Sequence, residues 1–262
     1  MNFSSIIGLI MAIVVVAWSA GTATPQWKVF LDLHAFVIVI VGTIAAALLS
    51  FSGKKLYILL RVFFTRVLGK NDELGIAMTE IIGLAKGQKE NASHLKDNVK
   101  KIKTPFLQEA IQLMIDGGIE PQELFKILQK RASVIHQRHE EDAEVFKALA
   151  KFPPAFGLLG AVMGMIAMMQ SLGGADAMAK VGPALAVALV ATLYGIALAN
   201  FIFLPLGENV AKLNRMDNLM RMMIIDGVKM LYLKKHPLIV EETLRSFLIP
   251  SERKNKKPIK AA

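Results

Sequence analysis

Residues 152–172 read FPPAFGLLGAVMGMIAMMQSL and contain no Asp, Glu, Lys or Arg. An α-helix that crosses a hydrocarbon core of about 30 Å needs about 20 consecutive apolar residues, within a range of about 17–25. Three further stretches without these charged residues meet the same requirement: Ser4–Ala20, Leu33–Phe51 and Val181–Leu206. A buried helix of a soluble domain is rarely apolar around its whole circumference over such a length. The sequence therefore predicts an all-α, polytopic membrane protein with four transmembrane helices.

The composition agrees with a membrane protein. Of the 262 residues, 54% are hydrophobic and 20% are charged, whereas soluble domains average about 45–50% and about 25%. The chain has no cysteine, which excludes a disulfide scaffold, a cysteine-ligated zinc site and a thiol nucleophile. A formal charge of +10 invites a nucleic-acid-binding function, but the mean hydropathy of +0.46 argues against it.

The distribution of basic residues predicts the orientation in the membrane. Lys28 is the only basic residue of the first short connection, and Lys180 is the only one of the second. The other 29 of the 31 Lys and Arg residues lie in 52–151 or after Pro205. Because basic loops favour the cytoplasmic side, we expect both chain termini in the cytoplasm. A cleaved signal peptide is the weaker interpretation of the first apolar stretch, since Met1-Asn2-Phe3 lacks a basic residue and a second stretch follows at once.

Four regions follow from this layout: 1–51 with transmembrane helices 1 and 2, 52–151 as a helical cytoplasmic domain, 152–206 with helices 3 and 4, and 207–262 as cytoplasmic helices with a basic tail. Helical spacing of apolar residues predicts the cytoplasmic helices, which are Asn71–Gly87, Pro105–Ile115 and Pro121–Ala150.

Three further segments of the cytoplasmic part have their own patterns. The amphipathic segment Lys54–Lys70 predicts a helix that lies in the membrane interface or packs beneath the bundle. The polar segment Gln88–Lys103 is predicted to contain a turn, and Arg253–Lys260 to be a disordered tail attracted to the membrane.

The sequence contains no recognisable enzyme site. His136 and His139 are three residues apart on a predicted helix, but no further ligands accompany them, so a solvated charged face is favoured over a metal site. No glycine-rich phosphate loop and no Ser/His/Asp arrangement is present. We expect neither catalysis nor a cofactor.

The third and fourth apolar stretches contain features beyond their hydrophobicity. Small residues that allow close helix packing in lipid recur at Gly157, Gly160, Gly164 and Gly195. Pro154 and Pro205 mark the cytoplasmic ends and make hinges available there. Hydroxyls are present at Ser171, Thr192 and Tyr194, but carboxylates are absent. Because an intramembrane ion pathway normally needs a titratable or charged group, a partner chain must supply the carboxylate if this chain handles ions.

Over nearly its full length the chain resembles the MotA/PomA subunits of bacterial flagellar stators. The matching residues are Leu113–Gly117, Arg138-His139, Pro154–Gly160, Gly182–Leu189, Thr192–Gly195, Pro205 and Asp226–Val228. The resemblance implies a bacterial inner-membrane protein whose copies, thought to be five, surround two copies of a single-span MotB/PomB-like partner. An Asp of that partner carries the ion, and the ring drives a rotor switch-complex protein. The two functional prolines of the family correspond to Pro154 and Pro205.

The resemblance also implies site residues. Ala161, Thr192 and Tyr194 are expected to line the ion pathway. Sodium-driven members carry Thr at the position of Ala161, so we expect a translocated proton rather than sodium. The rotor-facing charges fall near Lys86, Lys89, Lys96 and Asp97, where this chain departs from the family's spacing by one residue.

Two other functions compete with this interpretation. An ExbB/TolQ-like proton-channel subunit would power another envelope process, but those relatives typically have three spans. A secondary transporter would normally show more spans and a repeated half.

Overall fold

The protein is described by a computed structural model that covers residues 3–24, 27–62, 73–91, 93–172 and 177–250. Every regular element among these residues is helical, which confirms the all-α class. The α-helices are α1 (Phe3–Ala23), α2 (Leu33–Phe36), α3 (Gly42–Ser50), α4 (Gly53–Val62), α5 (Glu73–Glu90), α6 (His94–Asn98), α7 (Pro105–Asp116), α8 (Pro121–Leu149), α9 (Phe152–Ser171), α10 (Ala177–Leu198), α11 (Leu204–Tyr232) and α12 (Pro237–Arg245).

Three helical stretches of the described chain are long and apolar enough to cross a membrane: Trp27–Ser50, Pro121–Ser171 and Ala179–Tyr232. They overlap the second, third and fourth apolar stretches of the sequence. The first stretch lies in α1, an uncharged helix of 21 residues. A polytopic helical membrane protein is thereby confirmed. Only a turn at Ala150-Lys151 separates α8 from α9.

Two π-helical segments interrupt the membrane helices. Val37–Val41 lies between α2 and α3, and Ala199–Phe203 lies between α10 and α11. Asp32 begins the first of these composite helices, because its side chain accepts a hydrogen bond from the Ala35 N–H at 2.8 Å. This is the usual way to satisfy an amide at a helix N-terminus.

The chain divides into two compact units, Met1–Lys70 with Glu140–Ala211 and Asn71–His139 with Lys212–Ala262. In the first unit, apolar residues of α3, α8 and α11 form a cluster around Phe146 and Leu149. Leu56 of α4 packs against this cluster, whereas Tyr57 of the same helix is exposed. Its continuation at 63–70 and the basic tail Arg253–Lys260 lie outside the described residues.

The second unit has a larger apolar core. The fully buried side chains come from α5, α7, α8, α11 and α12, and the largest are Ile81, Ile82, Leu107, Ile111, Leu124, Leu128, Met223, Ile224, Leu231 and Leu244. The segment predicted to contain a turn, Gln88–Lys103, includes the short helix α6 and a 3-10 turn at Val99–Lys101. Leu95 anchors α6 in the core, and His94 occupies the space where a side chain on Gly87 would lie.

The histidines of α8 are not on a solvated charged face, which corrects the prediction for His136 and His139. His136 Nδ1 lies 3.1 Å from Oδ1 of the buried Asn214. His139 Nδ1 lies 3.3 Å from Asp217 Oδ2, and both side chains are mostly buried. The sequence pattern was misleading because the partners are on α11, far along the chain.

A buried ion pair completes this polar cluster. The Arg221 guanidinium donates to both carboxylate oxygens of Asp217 at 2.9–3.2 Å, and its Cζ lies 5.1 Å from the centre of the Phe106 ring. Burial by itself raises the pKa of the Asp217 carboxyl, but the neighbouring His139 and Arg221 lower it, so that the pKa falls below its ordinary value of 3.8.

We expect Asp217→Asn to lower the free energy of unfolding of the full chain at pH 7 by about 2 kcal/mol, since it leaves Arg221 buried without its carboxylate. A carboxyl with a lowered native pKa stabilises the fold above its ordinary pKa, and this stabilisation is lost as the pH falls through the native pKa. The difference between wild type and variant should therefore shrink below about pH 4. Thermal unfolding in detergent across this pH range measures it.

The matched control is Asp226→Asn, an exposed carboxylate on the same helix, which should leave stability nearly unchanged. Equal stability of Asp217→Asn and wild type at pH 7 would contradict the structural role of the pair.

Candidate functional site: the α9–α10 helix pair

The helices α9 and α10 pack against each other through glycines of α9. A methyl group on Gly157 would lie 2.8 Å from the Ala191 carbonyl oxygen, and one on Gly164 would lie 2.8 Å from the Ala184 carbonyl oxygen. A methyl group on Gly160 would lie 2.6 Å from Ala191 Cβ. Real Cβ atoms essentially never come so close to other atoms. The small residues therefore set the distance between the two helices, as close packing in lipid requires.

Gly195 of α10 makes the tightest approach in this pair. A Cβ atom here would lie 2.5 Å from the Pro153 carbonyl oxygen and 3.1 Å from Pro154 Cα. Both atoms belong to the backbone of the first turn of α9, where proline is well tolerated because its missing N–H would have no helical partner. The predicted packing glycine and the predicted hinge proline are thus in the same contact.

Pro205 is the second residue of α11, and only Leu204 separates it from the π-helical segment Ala199–Phe203. Proline cannot donate a hydrogen bond, and its ring clashes with the carbonyl four residues earlier in a regular α-helix. The turn before Pro205 is wider than an α-helical turn, since the Leu204 N–H reaches back five residues to the Ala199 carbonyl. The chain continues as a helix through the proline.

The two predicted hydroxyls of α10 make hydrogen bonds within the chain. Thr192 Oγ1 donates to the Ala188 carbonyl at 3.1 Å and lies 3.5 Å from the Gly157 carbonyl. Tyr194 Oη donates to the Phe30 carbonyl at 2.5 Å and accepts from the Asp32 N–H at 3.4 Å. Tyr194 therefore ties α10 to the segment that precedes α2.

Ala161 lies on α9 and is half-buried in the single chain. The described residues of α9 and α10 contain no carboxylate, and no group of three or more metal-ligating side chains is present in the described part of the chain. Their outer faces carry exposed apolar side chains, such as Leu158 at 64% and Leu189 at 64% exposure. Lipid or neighbouring chains are the environments that such faces fit.

The four charges predicted to face a rotor all lie in the second unit. Lys86 and Lys89 are on the last turns of α5, and Lys96 and Asp97 are on α6. Lys89, Lys96 and Asp97 are exposed, and Lys86 is half-buried. The packing of α6 on Gly87 brings these two helices together.

Sequence reasoning missed three features of the first unit. The Tyr194 contact with Phe30 joins residues too far apart in sequence for any local pattern to indicate. Gly42 provides space for the Phe156 ring, and this contact also has no local signal. Pro183 lies inside α10, and its position after Gly182 could have been interpreted as an irregularity of that helix.

We expect Gly195→Ala to force α9 and α10 apart, because the added methyl group meets backbone atoms that cannot rotate away. Overpacking of this kind costs about 1–3 kcal/mol, so the melting temperature of the full chain in detergent should fall. Gly182→Ala is the matched control on the same helix, since its methyl group would meet nothing within 4 Å. Equal melting of the two variants would refute the proposed tight contact.

Comparisons with known proteins agree with this geometry. The sequence profile of the MotA/TolQ/ExbB proton channel family matches residues 98–223. Motility protein A of Borreliella burgdorferi is 31% identical over 258 residues, which cover 97% of this chain and 96% of that protein. Chemotaxis protein PomA of Vibrio alginolyticus is 27% identical over 255 residues, with 97% and 98% covered.

Solved structures share the fold. The flagellar MotAB stator complex from Bacillus subtilis contains a chain with a TM-score of 0.84 and 22% identity, covering 97% of this chain and 98% of that one. MotAB of C. jejuni gives a TM-score of 0.83 at 22% identity, covering 95% and 97%. From its full-length likeness to motility protein A, this chain belongs to the MotA/TolQ/ExbB proton channel family.

Proposed function

We propose that this chain is an ion-conducting stator subunit of the bacterial flagellar motor, which couples proton flow to rotation of the rotor. The observation that carries the proposal is the likeness to motility protein A along nearly the whole of both chains. A relative that matched only the membrane helices would support a channel alone. The family profile also includes TolQ and ExbB, but the full-length relatives are named for motility and chemotaxis.

The working unit is a ring of copies around a MotB/PomB-like single-span partner. The acid-free α9 and α10 support this part of the proposal, because ion transfer through lipid needs a titratable or charged group. The partner's intramembrane Asp provides that group. The glycine contacts within the pair leave the exposed apolar faces available for the partner and for neighbouring copies. The ring of five implied by the family fits this arrangement.

The chain lies in the bacterial inner membrane with four spans and both termini in the cytoplasm. A helix of 21 residues, such as α1, is about 30 Å long and is sufficient for a fourth span. The strong excess of Lys and Arg in 52–151 and after Pro205 supports the orientation. Residues 52–151 and 207–262 then form the cytoplasmic part.

The protein works by conformational coupling and not by catalysis. Protonation of the partner's Asp alters its contacts with α9 and α10, and Pro154 and Pro205 act at the ends of this helix pair. The charges of α5 and α6 (Lys86, Lys89, Lys96 and Asp97) transmit the motion to a rotor switch-complex protein. No cofactor takes part.

The translocated ion is a proton. Ala161 provides no oxygen ligand, and Ala191 provides none beside Thr192, so Thr192 is the single hydroxyl among these three positions. A hard cation such as sodium requires several oxygen ligands, whereas a proton requires only the partner's carboxylate. Tyr194 completes the expected lining of the pathway.

The stator function predicts that deletion of the gene abolishes swimming while flagellar filaments are still assembled. Expression of the wild-type chain or of the Gly182→Ala variant should restore swimming, and Gly195→Ala should restore it poorly. Swimming speed in soft agar and by tracking microscopy measures this. Normal swimming of the deletion strain, with no second stator set present, would refute the function.

The proton assignment predicts swimming in sodium-free medium at undiminished speed. Collapse of the proton gradient with a protonophore should stop swimming even when a sodium gradient is maintained. Motility that requires sodium and survives the protonophore would show that the ion assignment is wrong, while leaving the stator function intact.

A further inference from the structure

A concave pocket of about 350 Å³ opens on the surface of the second unit. Its volume falls within the range of about 300–1,000 Å³ that small-molecule sites occupy. The lining residues come from α5 and from the connection between α11 and α12, and they are Ala85, Gln88, Lys89, Lys234, Lys235, His236 and Pro237.

The lining of the pocket combines buried apolar residues with exposed basic ones. Ala85 and Pro237 are buried, whereas Lys89, Lys234 and Lys235 are exposed. His236 adds an imidazole, and no carboxylate belongs to this lining. Lysines near helix C-termini also complement the helix dipole. That role explains each lysine singly but does not explain why three of them line one cavity.

Lys89 and His236 lie next to each other in this lining. Lys89 Nζ lies 3.2 Å from His236 Nε2, and His236 Nδ1 accepts from the Leu238 N–H at 3.3 Å. In the tautomer that accepts at Nδ1, Nε2 carries the ring hydrogen. In that tautomer an anion beside the two side chains accepts from both Lys89 Nζ and His236 Nε2.

Lys234 occupies a backbone position that normally belongs to glycine. Its φ is +49°, and it is the only non-glycine residue with a positive φ in the described part of the chain. The Lys235 N–H donates to the Met230 carbonyl and the Lys234 N–H to the Leu231 carbonyl, which is the capping pattern of a helix that ends on a left-handed residue. A lysine is disfavoured there by its Cβ atom, and its side chain belongs to the lining of the pocket.

We propose that this pocket binds a small phosphate-bearing anion. Three lysines that line one cavity match an anion with several acceptor oxygens better than they match a single carboxylate, and charge-assisted hydrogen bonds to phosphate are strong. The concave shape and the volume suit a small molecule. This site goes beyond the stator function and would operate whether or not the chain drives a rotor.

Titration calorimetry on the purified full chain in detergent tests the proposal, with inorganic pyrophosphate as the probe at constant ionic strength. A second titration with dioctanoyl phosphatidic acid distinguishes a lipid phosphate from a soluble one. We expect saturable binding of at least one probe. Lys234→Gly and Lys235→Gln should each weaken it roughly five- to tenfold, as expected for loss of a hydrogen bond between charged groups at an exposed site.

Lys234→Gly is informative because glycine readily adopts the left-handed backbone, while the lysine side chain and its charge are removed. Its melting temperature should equal or exceed that of the wild type, so weaker binding cannot be attributed to unfolding. Lys126→Gln is the matched control, since it removes one exposed lysine of α8 outside the pocket and should leave the affinity unchanged. The proposal would be overturned if neither probe showed saturable binding. It would also be overturned if Lys126→Gln weakened binding as much as Lys234→Gly and Lys235→Gln do.

Discussion

The backbone contact between Gly195 and the Pro153-Pro154 turn is the constraint on which the first unit depends. Lipid gives little drive for burying apolar side chains between helices, so α9 and α10 associate through close approach of their backbones. That approach is possible only where both surfaces are nearly flat. Glycine at Gly157, Gly160, Gly164 and Gly195 satisfies this condition, and any larger residue would separate the pair.

Much of the first unit could be predicted from the sequence, because the patterns that indicate its helices and their packing are local. Long uncharged apolar stretches, small residues at helical spacing and the distribution of Lys and Arg predicted the class, the spans and the packing face of α9. The Tyr194 contact with Phe30 could not be predicted in this way, because it depends on which helices become neighbours.

In the second unit, the polar contacts between helices could not be predicted from the sequence. Its helices were predicted from their periodicity, but the histidines of α8 were assigned to solvent, although they face Asn214 and Asp217 of α11. Polar residues on an amphipathic helix normally lie outside, and a single sequence cannot reveal a buried partner about 80 residues away. The short helix α6 escaped prediction for a different reason, since five residues are too few to establish a period.

The π-helical segments have a consequence for comparing membrane helices between relatives. A π-helical turn accommodates one extra residue, which rotates everything after it by about 100° relative to a regular α-helix. Residues on either side of Val37–Val41, or of Ala199–Phe203, therefore do not belong on one helical wheel. A relative that lacks either insertion would present a different set of side chains at the same distance along the sequence. Lipid-facing and protein-facing positions should be assigned separately for each half.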